Sequence, residues 1–223
     1  MKAKYKIGYI DEDVNQVKKY QRRFRKYGFE VIGYDFEDEM SFEDLMKQVY
    51  ESEIDLLMID YKLDETNKVT FNGDAVESDF YEKKPLFPHI IFTNKVDDAE
   101  PHVEDWSIIY DKDLIFSEED DDEKGVLRFI TTLKKSIERY RNSINKKKAT
   151  IADLIEKGER EGIDSSEQDS LISLQRELGD LDKTKKKEIP EKLVSFEKLE
   201  DLSKTRKEAE AFLQSLMKKN KKQ

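Results

Sequence analysis

Apolar residues in the first 125 positions fall into two alternating patterns. Short, nearly continuous runs occur at Lys6–Ile10 (KIGYI), Phe29–Tyr34 (FEVIGY), Ile54–Ile59 (IDLLMI), His89–Thr93 (HIIFT) and Trp106–Tyr110 (WSIIY), and read as buried strands. Between them the spacing becomes helical. Val14, Val17, Tyr20, Phe24 and Tyr27 share one helical face, with Asp13 as a cap and Gly28 as a stop. Ser41–Tyr50 reads as a second helix, opened by a capping box of Ser41 and Asp44. A polar loop over 61–73 leads to a helix near 74–83, and Pro85 and Pro88 flank the turn into the fourth run. A short helix is expected near 95–104, and the last one starts around Glu119. Strands alternating with helices in this way predict a parallel sheet covered on both faces.

In such a sheet, ligands bind at the carboxyl ends of the strands. Asp11 and Glu12 follow the first strand, Asp60 the third, Thr93 the fourth and Lys112 the fifth. Three carboxylates, a hydroxyl and an amine are thereby predicted to converge on one crevice. Clustered carboxylates repel one another unless a cation lies between them. An all-oxygen set suits Mg²⁺, which completes its shell with water and phosphate oxygens. A carboxylate at the end of a rigid central strand can attack phosphorus, with a lysine and a hydroxyl stabilising the spreading charge.

Residues 1 to about 140 resemble the receiver domain of two-component response regulators. The resemblance rests on Asp11-Glu12, on Gly28-Phe29, on Leu56-Leu57-Met58-Ile59-Asp60, on Ile90-Ile91-Phe92-Thr93 and on Tyr110-Asp111-Lys112, in that order. It implies a flavodoxin-like five-stranded sheet of order 2-1-3-4-5. It also implies Asp60 as phosphoacceptor, Asp11, Glu12 and Asp60 as Mg²⁺ ligands together with the backbone carbonyl of Lys62, Thr93 as switch hydroxyl and Lys112 as its partner lysine. The phosphoryl donor would be a histidine kinase or phosphotransfer protein, and the chain a signalling protein rather than an enzyme. Four features depart from the family pattern. The 61–73 loop is long, Asn94 replaces the small residue after the switch hydroxyl, and Asp113 replaces the proline after the lysine. The switch aromatic is also displaced, since Ile109 holds its position.

Composition changes abruptly past this region. Residues 1–125 carry 17 Lys and Arg against 33 Asp and Glu, and residues 126–223 carry 24 against 18. Past Tyr140 the only aromatics are Phe196 and Phe212. The reading is a receiver domain over 1–125, its fifth helix continuing past it, and a helical hairpin or bundle over 126–223. Val126, Ile130, Leu133, Ile137, Tyr140, Ile144, Ile151 and Leu154 follow heptad spacing, which predicts a coiled-coil-like helix from near 120 to about 157, ended by Gly158 and Gly162. Asp164-Ser165-Ser166-Glu167 caps a second helix carrying Leu171, Leu174, Leu178 and Leu181, and Pro190 opens a third with Leu193, Phe196, Leu199 and Leu202. Such stripes need a hairpin, a homodimer or a protein partner to cover them. Basic residues interspersed with acids and no reading element argue against nucleic acid. The absence of cysteine removes disulfides, a thiolate nucleophile and sulfur-ligated zinc, and two histidines leave little for a histidine metal site or a serine–histidine triad. No apolar run is long enough to span a membrane and no signal-peptide core opens the sequence, so a cytoplasmic location is expected. A constitutive scaffold, or a phosphoryl sink on the same fold, is the alternative reading.

Overall fold

The computed structural model describes residues 4–116 and 123–181. Residues 118–122 of the acidic stretch 118–123, which reads as a solvated helix N-terminus, the polar link expected over 183–187 and the helix expected after Pro190 lie outside them. Five parallel strands form one sheet in the order β2-β1-β3-β4-β5: β1 (Tyr5–Ile10), β2 (Phe29–Gly33), β3 (Leu56–Ile59), β4 (His89–Thr93) and β5 (Ile109–Asp111). Helices α1 (Val14–Arg25), α2 (Phe42–Glu51), α3 (Gly73–Lys83), α4 (Val96–Ala99), α5 (Lys112–Ile115), α6 (Glu123–Arg160) and α7 (Ser165–Leu181) complete the fold. This is the flavodoxin-like α/β architecture.

Strand alternation divides the core in two. On one face Tyr5, Ile7 and Tyr9 of β1 pack with Tyr20 and Phe24 of α1 and with Phe129, Ile130, Leu133 and Ile137 of α6. On the other, Ile10, Leu57, Ile59 and Ile91 pack against Leu45 and Val49 of α2 and Val76 and Phe80 of α3. The helix ends follow local chemistry. The side chain of Asp13 accepts from the Asn15 amide at the start of α1, and that of Ser41 accepts from the Asp44 amide at the start of α2. After α1, Gly28 takes a φ of 86°, which an L side chain resists.

Three expectations are corrected. The fifth strand does not begin at Trp106. Trp106–Ile108 forms a 3₁₀ turn held by the Asp105 carboxylate accepting from the Ser107 amide, Trp106 is 75% exposed, and β5 starts at Ile109. The helix expected over 95–104 is only Val96–Ala99. Pro101 lacks an amide hydrogen and closes it early. Gly158 does not end the long helix. It lies inside α6, and Gly162, with a φ of 85°, follows the helix end instead. The start of the heptad seam also has an occupant within the fold: Ile130, Leu133 and Ile137 are buried against the sheet rather than left for a partner helix.

The described chain divides into two compact units, one running to Lys148 and taking up again at Glu177, the other Ala149–Arg176. In the first, α6 is pinned to the amino ends of the inner strands β1 and β3 by Arg141 on Asp55 at 2.5 Å and by Tyr5 and Lys4 on Glu138. The second is a helical hairpin. Asp164 and Glu167 cap each other's amides at 3.1 and 2.9 Å, Lys157 meets Glu167 at 2.5 Å, and Ile151 and Leu171 are buried.

Candidate functional site

The parallel register brings the strand ends level. Ile10 pairs with Ile59, Ile59 with Ile91, and Thr93 with Asp111. The residues just beyond the strands therefore meet at one rim, and the Asp60 amide donates to the Ile10 carbonyl at 2.8 Å. One carboxylate oxygen each from Asp11, Glu12 and Asp60 lies within 4.8 Å of the others. Lys112, the first residue of α5, is buried. Its Nζ sits 2.9 Å from Asp11 Oδ2 and 3.2 Å from Asp60 Oδ1. Thr93 is fully buried, and its Oγ1 accepts from the Lys95 amide at 3.1 Å.

Two oxygens at this rim, Glu12 Oε2 and Asp60 Oδ1, are buried without a hydrogen-bond partner. The Lys112 contact to Asp60 Oδ1 is an ion contact that lacks hydrogen-bond alignment. Buried carboxylate oxygens are costly to leave in this state. Two of them, aimed into an all-oxygen cluster, fit a hard divalent cation such as Mg²⁺. The electrostatics agree. Burial, with Asp11 adding to it, pushes the Asp60 carboxyl up to about 6 against the pull of Lys112. Burial pushes Glu12 up to about 7, and the neighbouring Asp11 and Asp60 charges add to it. The phenol of Tyr9 is raised well above its usual range by burial and by the Asp11 and Asp60 charges.

The 61–73 loop is folded onto the domain. Leu63 and Val69 are buried, the Asn72 side chain accepts from the Leu63 amide at 3.1 Å, and the Lys68 carbonyl accepts from the Met40 amide at 3.2 Å. Lys62 lies here and pairs its side chain with Asp64 at 2.9 Å. The loop returns through Gly73, whose amide donates to the Tyr61 carbonyl at 2.7 Å. A Cβ at Gly73 would lie 2.3 Å from the Asp60 carbonyl oxygen and 2.9 Å from the Tyr61 Cα. Both obstacles are backbone, so neither can swing aside. Gly73→Ala should cost about 1–3 kcal/mol of stability and should weaken Mg²⁺ binding through the displaced Asp60, as denaturant titration and calorimetry would show. A variant that binds Mg²⁺ like the parent would dissociate the loop's return from the site.

Reading along the sequence brought together Asp11, Glu12, Asp60, Thr93 and Lys112, and the structure places all five at this rim. It missed Tyr9, whose hydroxyl donates to Asp11 Oδ2 at 2.5 Å. The available signal was parity: residues 9 and 11 of a strand point to the same side. The two histidines stand apart from the rim. His89 contacts the Phe87 carbonyl and Glu77, and His102 stacks on Tyr61.

No family model matches the chain, and no curated protein matches it. Solved structures do. Response regulator TrrA from Thermotoga maritima, solved with Mg²⁺ and BeF, is 17% identical over 58% of this chain and 99% of that chain, with a TM-score of 0.39. The receiver domain of the Francisella response regulator 1452 is 14% identical over 61% of this chain and 98% of that one, with a TM-score of 0.41. NtrX from Brucella abortus is 14% identical over 70% of this chain and 34% of that one, with a TM-score of 0.45. The sheet order and the geometry of the rim, rather than these likenesses, carry the functional reading.

Proposed function

We propose that this chain is a phosphorylation-controlled signalling protein that accepts a phosphoryl group on Asp60 with Mg²⁺. The observation that carries the reading is the pair of buried oxygens that accept no hydrogen bond, Glu12 Oε2 and Asp60 Oδ1, beside Asp11, Lys112 and Thr93. A histidine kinase or phosphotransfer protein is the donor. The phosphorus–nitrogen bond of its phosphohistidine breaks as an Asp60 oxygen bonds to phosphorus, and the imidazole leaves with the electron pair. Asp11, Glu12, Asp60 and the Lys62 carbonyl are the residues that would hold Mg²⁺. The bound ion supplies charge neutralisation for the transferring oxygens. Lys112, already beside Asp60, and the Thr93 hydroxyl are the groups that would meet the phosphoryl oxygens. The response then leaves through protein–protein contacts of the helices, with a further protein or a second copy of the chain. Among the described residues no helix is long and apolar enough to cross a membrane.

A second reading, a constitutive scaffold or phosphoryl sink, is favoured by two observations. Helix α4 has only four residues, and the displaced aromatic leaves half-buried Ile109 on β5. Beryllofluoride, which stands in for the phosphoryl group, separates the readings. Calorimetry is the better probe, because Trp106 is too exposed for its fluorescence to report the site. Saturable, Mg²⁺-dependent binding with a change of mass in solution is the expected result, and it should be absent in Asp60→Asn. Binding with no change in mass, alone or with a partner, would favour the sink. No binding would leave the scaffold.

A further inference from the structure

We infer that Tyr9 is a positioning residue for this site: its hydroxyl keeps Asp11 satisfied so that Lys112 can leave Asp11 for a phosphoryl group on Asp60. The inference rests on the phosphoacceptor reading and extends it to a residue outside the acid–lysine–hydroxyl set. Asp11 is buried, and its Oδ1 accepts from the Asp13 amide at 3.0 Å. Its Oδ2 has two donors, the Tyr9 hydroxyl at 2.5 Å and Lys112 Nζ at 2.9 Å.

The two donors differ in kind. Lys112 is divided between carboxylates, with Asp60 Oδ1 at 3.2 Å, and hangs on a flexible stem. Tyr9 is fixed. It is fully buried on a central strand, and its ring meets Tyr20 edge-on at 5.8 Å and Phe92 at 6.2 Å. Packing alone does not require the hydroxyl, since Ile7 fills the same sheet face two residues earlier. When Lys112 turns to a phosphoryl group, Asp11 Oδ2 would be stripped of donors in the core if Tyr9 were absent. A buried carboxylate oxygen in that state is expensive, and a retained charge-assisted hydrogen bond removes most of the cost. The phenol thus matters more to the phosphorylated arrangement, where it is the donor left on Asp11 Oδ2, than to the resting one, in which Lys112 shares that oxygen with it.

The test compares wild type with Tyr9→Phe, which keeps the ring and deletes the donor. Calorimetry would read Mg²⁺ affinity first, then beryllofluoride affinity at saturating Mg²⁺. The expected result is a beryllofluoride affinity weakened on the order of tenfold more than the Mg²⁺ affinity. A merely structural role would lower the melting temperature while leaving the ratio of the two affinities alone, and that outcome overturns the inference. Equal loss of both affinities does so as well. If Tyr9→Phe does not fold, the Tyr9 hydroxyl proton decides the matter by NMR of the tyrosine-labelled wild type. A hydrogen-bonded resonance kept in the beryllofluoride-loaded protein supports the inference, and its disappearance overturns it. Failure of the wild type to bind beryllofluoride overturns this inference together with the phosphoacceptor reading, whereas wild-type binding with an unaffected Tyr9→Phe overturns this inference alone.

Discussion

Asp60→Asn should abolish phosphoryl uptake and at the same time make the metal-free protein more stable at pH 8. The first effect follows from removing the nucleophilic oxygen. The second follows from electrostatics. Burial and Asp11 raise the Asp60 carboxyl to about 6 from an ordinary 3.8. A carboxyl raised in the folded state holds its proton longer there than in the unfolded chain. Its contribution to stability is full below the unfolded value and is lost as pH climbs through the folded one. Above pH 6 the folded wild type therefore carries a penalty of about 3 kcal/mol, at ~1.4 kcal/mol per unit. Asparagine has no such charge, and Lys112 keeps Asp11 as its counter-ion. Thermal melts should show the variant ahead by about 1–3 kcal/mol at pH 8, the pull of Lys112 being already contained in the net rise. The gap should narrow as pH falls through 6 and close only below the unfolded value of 3.8, where both states hold the proton. Saturating Mg²⁺ should raise the wild-type melting temperature more than the variant's. A variant less stable than wild type at pH 8 would show that Lys112, rather than repulsion and burial, governs the state of Asp60.

The site was more legible along the chain than the helical surroundings, for physical reasons. Strand-end residues are announced by the apolar run that precedes them. Leu56 to Ile59 is a strand because every side chain is buried on both sheet faces, and Asp60 is where that run stops. His89–Thr93 was bounded as cleanly, with Pro88 before it and Asn94 after it. The cap at Ser41 is local chemistry and needs no tertiary context. Trp106–Ile108 misled because aromatic and β-branched residues suit a strand, yet Asp105 two residues before Ser107 offers a side-chain turn that competes with the sheet. The loop after Asp60 read as a polar insertion, because Leu63 and Val69 are buried singly and leave no periodic trace.

The first turns of the heptad pattern in α6 serve the sheet for a related reason. Spacing of three and four is shared by a coiled-coil seam and by any helix lying on a sheet. The discriminating residue was Phe129, adjacent to Ile130 and off the seam. It widens the apolar stripe beyond what a two-helix seam needs, and a broad stripe fits a broad sheet. A stripe of this width also ties the helix to the site. Phe92, the residue before Thr93, stacks on Phe129 with ring planes 12° apart, and Phe92 also lies 5.9 Å from Lys112 Nζ.

Phe129→Ala should accordingly be the most damaging single truncation in α6. The ring is 5% exposed and meets Phe92 at 5.9 Å, Tyr110 at 5.1 Å, Phe116 at 6.2 Å and Phe24 at 6.4 Å. Those contacts come from β4, β5, α5 with its following residue, and α1, so no single element can move in to fill the space. Truncating such a ring costs about 3–5 kcal/mol. In a domain of this size that is on the order of a 10 °C fall in melting temperature. Because the same cluster contains Tyr9 and Met58, from the two strands that lead to Asp11 and Asp60, the loss should be cooperative. Hydrogen exchange should accelerate together in α6, β1 and β3, and beryllofluoride should recover part of the lost stability by binding the folded state. Exchange that quickens in α6 alone, with β1 and β3 unchanged, would show that the helix detaches independently of the sheet and that Phe129 does not join it to the carboxylate rim.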